Sequence, residues 1–264
     1  MRNRYLLLSI AILLTISLPY ALAQIFTAPG TILGGFLLNP LDGYSYLAKM
    51  NEGWAGAWKF TLSYSADTNQ GSFIFLYYLF LGHVSRWFGL STIFVFHLAR
   101  IISAIALLAA LRRFFSFLFA DRPKVAFWAF AFSATGSGLG WLAGIFGGFT
   151  ADFWVAEAYP FLSMYSSPHF SLGLAILLWY LVQFNLPFQK KIIPIVIAAG
   201  VLLGVIFPFA IVVAAVLTCG MVAYDFHTKS KIRWQAPLMF LAFGGLTILY
   251  QFIVIRTDPV LAAW

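Results

Sequence analysis

The stretch SFIFLYYLFLGHVSRWFGL, Ser72 to Leu90, decides how this chain is folded. It is long enough to be a membrane helix. Yet its middle is aromatic rather than aliphatic, and it carries His83, Ser85 and Arg86. If it crosses a bilayer, every later segment of the chain changes sides.

The surrounding sequence leaves little doubt about the solvent. Of 264 residues, 62% are hydrophobic and 9% charged, and the mean hydropathy is +0.91. A soluble domain carries roughly 25% charged residues. A core of this size has no room for so much apolar surface, so the composition calls for an all-α polytopic membrane protein. The apolar runs are continuous and do not alternate, which excludes a transmembrane barrel. The net charge is +8. In a soluble chain that would suggest nucleic acid; here the placement of Lys and Arg sets orientation, and no nucleic-acid partner is expected. A single cysteine, Cys219, excludes intrachain disulfides and a cysteine metal cluster.

The apolar runs are Tyr5–Ala23, Thr92–Leu111, Val125–Phe146, Phe170–Leu186, Ile192–Tyr224 and Ala236–Ile255. The first ends in ALAQ, which also looks like a signal-peptide cleavage site. The run Ile192–Tyr224 would make a helix of about 50 Å, against roughly 30 Å of hydrocarbon. With Gly204 and Pro208 at its middle, it reads as two short spans joined by a tight turn.

Charge then places Ser72–Leu90. If that stretch does not cross, 11 of the 16 basic residues are cytoplasmic: Arg2, Arg4, Arg112, Arg113, Arg122, Lys124, Lys190, Lys191, Lys229, Lys231 and Arg233. Six of the eight acids, Asp42, Glu52, Asp67, Asp152, Glu157 and Asp258, are then outside. If it did cross, the cluster Arg112–Lys124 would move outside, against the positive-inside rule. The expectation is therefore seven transmembrane helices, with the N-terminus cytoplasmic and the C-terminus outside. Ser72–Leu90 becomes a helix on the outer interface. No repeat or linker divides the chain, so residues 1–264 read as a single module. Gly136, Gly140, Gly144 and Gly148 recur every fourth residue and read as a helix-packing stripe in the third span.

Two outer loops are long, about 24–91 and about 147–169. Length spent on one side of a membrane protein points to function there. The first loop opens with NPLDGYSYLAKMNEGWAGAW, Asn39 to Trp58, where Asp42 sits in a Pro-Leu-Asp-Gly turn at the end of a span, ahead of an amphipathic segment. The second, GGFTADFWVAEAYPFLSMYSSPH, holds Asp152, Glu157, Tyr159 and His169. Facing carboxylates from two loops can deprotonate an acceptor hydroxyl or hold a hard divalent cation. Glu52 and Asp67 read as solvating acids. His169 stands at the mouth of a span as a candidate ligand or hydrogen-bond donor. His97 and Arg100 either serve a headgroup or bond one another.

This order of parts resembles the C-type (GT-C) glycosyltransferases, polytopic enzymes that use a polyprenyl-phosphate-linked sugar and include protein mannosyltransferases and the oligosaccharyltransferase catalytic subunit. The matching pieces are LDGYSYLAKM, GSFIFLYYLFLGHVSRWFG and DFWVAE. The resemblance covers the whole chain and rests on loop order and short degenerate motifs. It implies a seven-span module with two interface helices in the first outer loop. It also implies a transferase active at the outer face of the cell membrane, with a polyprenyl-phosphate sugar as donor and an acceptor that the motifs do not name. Asp42 would be the catalytic or metal-binding acid. Asp152 and Glu157 would join it around a divalent cation such as Mg or Mn. Tyr44, His169 and Arg256 would contact substrate, Arg256 by holding a lipid phosphate through two parallel hydrogen bonds. Two departures stand out. Asp152 and Glu157 are five residues apart rather than a tight pair, and the chain ends at RTDPVLAAW where family members continue into further spans. A missing C-terminal part is therefore expected. Two other readings of the same composition are a transporter or channel, and a non-catalytic membrane assembly protein.

Overall fold

The computed structural model describes residues 2–62, 65–67, 70–136, 138–228 and 234–263. Lys229, Lys231 and Arg233, which the charge argument assigns to the cytoplasmic side, lie outside the described residues. The described chain is helical: α1 Arg2–Ile25, α2 Pro40–Ala55, α3 Leu76–Phe88, α4 Thr92–Leu118, α5 Pro123–Thr135, α6 Gly140–Ile145, α7 Pro160–Ser166, α8 Pro168–Asn185, α9 Ile193–Ile206, α10 Phe209–His227, α11 Gln235–Thr257 and α12 Pro259–Ala262. Single 3₁₀ turns occupy Ala151–Phe153, Ala156–Ala158 and Lys190–Ile192.

Among the described residues four helices, α1, α4, α10 and α11, are long and apolar enough to cross a membrane. Only 11% of the most apolar stretch of α11 is buried by protein, so most of that surface is suited to hydrocarbon rather than water. Ser72–Leu90 does not form a helix of spanning length. α3 has 13 residues, about 20 Å at 1.5 Å per residue, against roughly 30 Å of hydrocarbon. It begins after Phe75 at φ 53° and stops at Gly89 at φ 64°, the left-handed conformation that glycine adopts readily.

The run Ile192–Tyr224 breaks where its proline stands. α9 ends at Ile206, and α10 starts at Phe209 with Pro208 as its N-cap. Proline disfavours helical backbone in the residue before it, and Phe207 leaves the helix at φ −146°. α9 has 14 residues and α8 has 18, the latter with polar residues at both ends. The expected third span is corrected. Val125–Phe146 is not one helix: α5 stops at Thr135, Gly136 is extended at φ −67° and ψ 140°, and α6 is a separate short helix.

The chain divides into two compact units, residues 1–47 with 90–175, and residues 48–89 with 176–264. In the first unit α1, α4, α5 and α7 pack on one another. Its centre is a cation. Arg100 on α4 is 2% exposed, and its Nη1 donates to the carbonyls of Ile16 at 3.2 Å, Met164 at 3.2 Å and Tyr165 at 3.3 Å. Its Nε donates to His97 Nδ1 at 3.3 Å, so His97 and Arg100 do bond one another. The guanidinium lies 4.4 Å from the Tyr20 ring centroid. The local sequence explains two of these acceptors. Met164 and Tyr165 are in the last turn of α7, where carbonyls lack intrahelical donors.

In the second unit α9 and α11 approach through small residues. A Cβ on Gly200 would lie 2.3 Å from the Phe240 carbonyl oxygen, and one on Gly204 would lie 2.8 Å from that of Gly244. Gly200-x-x-x-Gly204 is thus a close-packing pair of the kind expected for the third span. The end of α2 meets α3 backbone to backbone: a Cβ on Gly53 would fall 2.1 Å from the Leu79 carbonyl oxygen, and one on Gly82 would fall 2.0 Å from that of Met50.

Candidate functional site

Asp42 is not in a turn. Asn39, at φ 47°, ends the preceding segment, and Pro40 begins α2. Proline suits a first helical position because its missing N–H would have no helical partner there. Asp42 falls in the first turn, exposed, where the helix dipole favours a negative charge. Gly43 beside it is buried. A Cβ there would lie 2.3 Å from the Phe36 ring, which itself meets Phe96 of α4 edge-on at 5.1 Å. The Asp-Gly pair therefore lets the carboxylate sit on a helix start pressed against an aromatic shelf. The Asn39 side-chain amide makes a long 3.5 Å contact with the Trp154 carbonyl, which ties this helix start to the segment that carries Asp152 and Glu157.

Tyr46 lies one turn beyond Asp42 on the same helical face. Its ring is edge-on to His169 at 5.1 Å and near-parallel to Phe96 at 6.4 Å. Burial pushes its phenol pKa up. The carboxylates of Asp42 and Glu157 push it further, because a phenolate would meet two negative charges. The phenol therefore keeps its proton at neutral pH and remains a donor between two acids from different loops. Glu157 comes from the 3₁₀ turn Ala156–Ala158 and is half-buried. His169, 9% exposed, is the second residue of α8 and stacks against Phe170 at 3.9 Å. Asp42, Tyr46, Glu157 and His169 are thus gathered in the first unit.

Asp152 has a different task. Its Oδ2 accepts from the Gly140 N–H at 2.7 Å and its Oδ1 from the Thr150 hydroxyl. It supplies an acceptor to the first N–H of α6, whose N-cap residue Leu139 offers none. Glycines at 138 and 140 leave room for the carboxylate; a Cβ on Gly140 would lie 1.9 Å from Oδ1. One member of the four-residue glycine spacing, Gly140, thus accommodates Asp152, where a packing stripe was expected. The Thr150 bond is the largest influence on the Asp152 pKa and lowers it; burial opposes this, and the Gly140 N–H adds to the lowering. A lowered folded pKa means stability that is present above the ordinary carboxyl range and lost as pH falls through the folded value. Hydrogen–deuterium exchange should read this. Protection of residues 138–145 should drop on acidification in the native chain, and Asp152→Ala should show the low protection at every pH. Unchanged protection in Asp152→Ala would remove the capping role.

Among the described residues no three His, Cys, Asp or Glu side chains are grouped as metal ligands, and both Asp152 oxygens are engaged as above. Tyr44 is half-exposed, and its hydroxyl rests against the backbone of Gly34, where a Cβ would lie 1.9 Å away. Arg256 belongs to the second unit. It is exposed in the last turn of α11, with its guanidinium 5.0 Å from the Phe252 ring centroid. Glu52 is more than a solvating acid, since it accepts from Thr61 N–H at 2.9 Å and from the Thr61 hydroxyl at 3.2 Å. From the sequence Tyr46 reads only as one of the aromatics that anchor the interface helix. The available signal was its i,i+4 spacing from Asp42, which has meaning only once the segment is known to be helical from Pro40.

Compared with models of known protein families, with curated proteins and with solved structures, the chain shows no match.

Proposed function

We propose that this chain is a GT-C-type membrane glycosyltransferase that moves a sugar from a polyprenyl-phosphate donor to an acceptor hydroxyl at the outer face of a membrane. One observation carries the reading: Asp42 stands exposed in the first turn of α2, one helical turn before Tyr46, whose ring meets His169 edge-on at 5.1 Å. In the proposed reaction the Asp42 carboxylate takes the proton of the acceptor hydroxyl as general base. The acceptor oxygen attacks the anomeric carbon. The bond from that carbon to the phosphate oxygen breaks, and polyprenyl phosphate leaves with the electron pair. Tyr46 offers an O–H donor beside this centre, and His169 shapes its wall. The Arg256 fork offers two parallel donors for a lipid phosphate. The test is transfer of a labelled sugar from a polyprenyl-phosphate donor by the protein in liposomes, set against flux of a small solute. Solute flux without transfer would favour the transporter reading.

The reading places α2 and α3 at the outer interface and the N-terminus inside. Cysteine labelling tests this orientation. Cys219 is exposed, so it must first be replaced by alanine. Ser163 is fully buried and would be a poor probe, whereas Ala66, Phe149 and Ala120 are exposed. Ala66→Cys and Phe149→Cys should react with an impermeant maleimide from outside, and Ala120→Cys only after permeabilisation. Reaction of Ala120→Cys in sealed cells would invert the topology and move the site with it.

A further inference from the structure

We propose that the groove between α1 and α4 is a binding site for an anionic phospholipid, with an acyl chain in the groove and the phosphate on Arg112. The groove has a volume of about 480 Å³, within the usual range of roughly 300–1,000 Å³ for small-molecule pockets. Its walls include Ile10 and Leu13 of α1 and Ile105 and Ala109 of α4, and one end is formed by Tyr5 and Arg112. Both helices are of membrane-spanning length and composition. Ile10 and Ile105 are 44% and 50% exposed, so the slot opens on the surface that faces hydrocarbon.

Arg112 gives the groove its polarity. It is exposed, and its guanidinium lies 5.1 Å from the Tyr5 ring centroid, which steadies the cation over an aromatic face. Among the described residues none of its N–H donors meets a protein acceptor. An apolar slot that ends in a cation with free forked donors matches the two parts of a phospholipid. Arg4 and Arg113 stand exposed on the same helix ends, so the local charge favours a net negative headgroup over a zwitterionic one. The site is separate from the acids around Tyr46. Arg112 is sixteen residues beyond Phe96 on α4, which is about 24 Å along the axis. It therefore lies towards the other membrane surface, and the proposal does not depend on the transferase reading.

Native mass spectrometry of the detergent-purified chain, titrated with phosphatidylglycerol or phosphatidylcholine of matched chains, tests this. The native protein should retain phosphatidylglycerol in preference to phosphatidylcholine. Arg112→Gln should lower phosphatidylglycerol retention about tenfold, the scale of a lost charge-assisted hydrogen bond, and lower phosphatidylcholine retention less, because the choline cation already offsets its phosphate. Ala109→Trp, which fills the groove, should lower both. Equal retention of the two lipids by the native protein would overturn the proposal whatever the variants do. So would full retention by a folded Arg112→Gln, or the mass of two chains that is lost in Ala109→Trp, which would assign the groove to a second copy.

Discussion

Asp42→Asn is expected to abolish sugar transfer while folded protein still accumulates in the membrane. The side chain is exposed in the first turn of α2, so the amide keeps its shape and costs the fold only the interaction with the helix dipole, typically about 0.3–1 kcal/mol. The chemistry loses far more. An amide does not take a proton from a hydroxyl, and a positioned general base contributes roughly 10²–10⁴-fold in rate. Transfer should be measured in liposomes at saturating donor, with donor binding followed separately. Loss of turnover with unchanged donor binding is the expected pattern. Normal turnover would remove Asp42 from the chemistry, and loss of donor binding together with turnover would move it to substrate binding. Tyr46→Phe and Glu157→Gln are informative companions because one removes the phenol and the other a carboxylate whose charge raises its pKa. If Tyr46 donates to substrate, Tyr46→Phe should also lower turnover, although the phenyl ring keeps its packing against Phe96 and His169.

Arg100→Met is expected to destabilise the first unit strongly and to lower the midpoint of its thermal unfolding. Two effects compete. Removing a charge that is 2% exposed relieves a desolvation cost. It also takes one donor from each of the carbonyls of Ile16, Met164 and Tyr165, of which Tyr165 still accepts from the Tyr20 hydroxyl at 3.0 Å. A buried acceptor left without a donor costs about 1–3 kcal/mol. The net loss should be roughly 3–5 kcal/mol, the range seen when a buried charged network is broken, against a total stability of about 5–15 kcal/mol. The lost bonds dominate because methionine brings no donor, whereas the existing arginine already has four acceptors and the Tyr20 face around it. Arg100→Lys should fall between, since a point charge cannot reach α1 and α7 with the geometry of the fork. The readout is the midpoint of thermal unfolding in detergent, with hydrogen exchange over Pro160–Ser166 as the local probe. An unchanged midpoint in Arg100→Met would mean that relief of desolvation offsets the lost bonds.

Sequence alone determined the features that depend on neighbouring residues. The helical, apolar character of α1, α4 and α11 follows from continuous runs of hydrophobic side chains, because hydrocarbon accepts a backbone only when its own hydrogen bonds are closed locally. The break between α9 and α10 follows from Pro208, which acts on the residue beside it. The start of α2 was also legible in principle, since Pro40 and Asp42 suit a first helical turn, although a turn was the simpler reading of Pro-Leu-Asp-Gly. Tertiary structure decided the rest, and in each case the deciding partner is distant in the chain. Val125–Phe146 is as apolar as a span, yet α5 stops at Thr135, and the carboxylate that satisfies the next helix start comes from Asp152. Asp152 and Glu157 look alike from hydropathy and spacing. One caps a helix and the other faces Tyr46, a difference set by which N–H groups and which phenol the fold brings near. The same holds for Arg100. A charge inside an apolar helix is costly or stabilising according to the acceptors around it, and those acceptors, from α1 and the last turn of α7, meet only when the chain is folded.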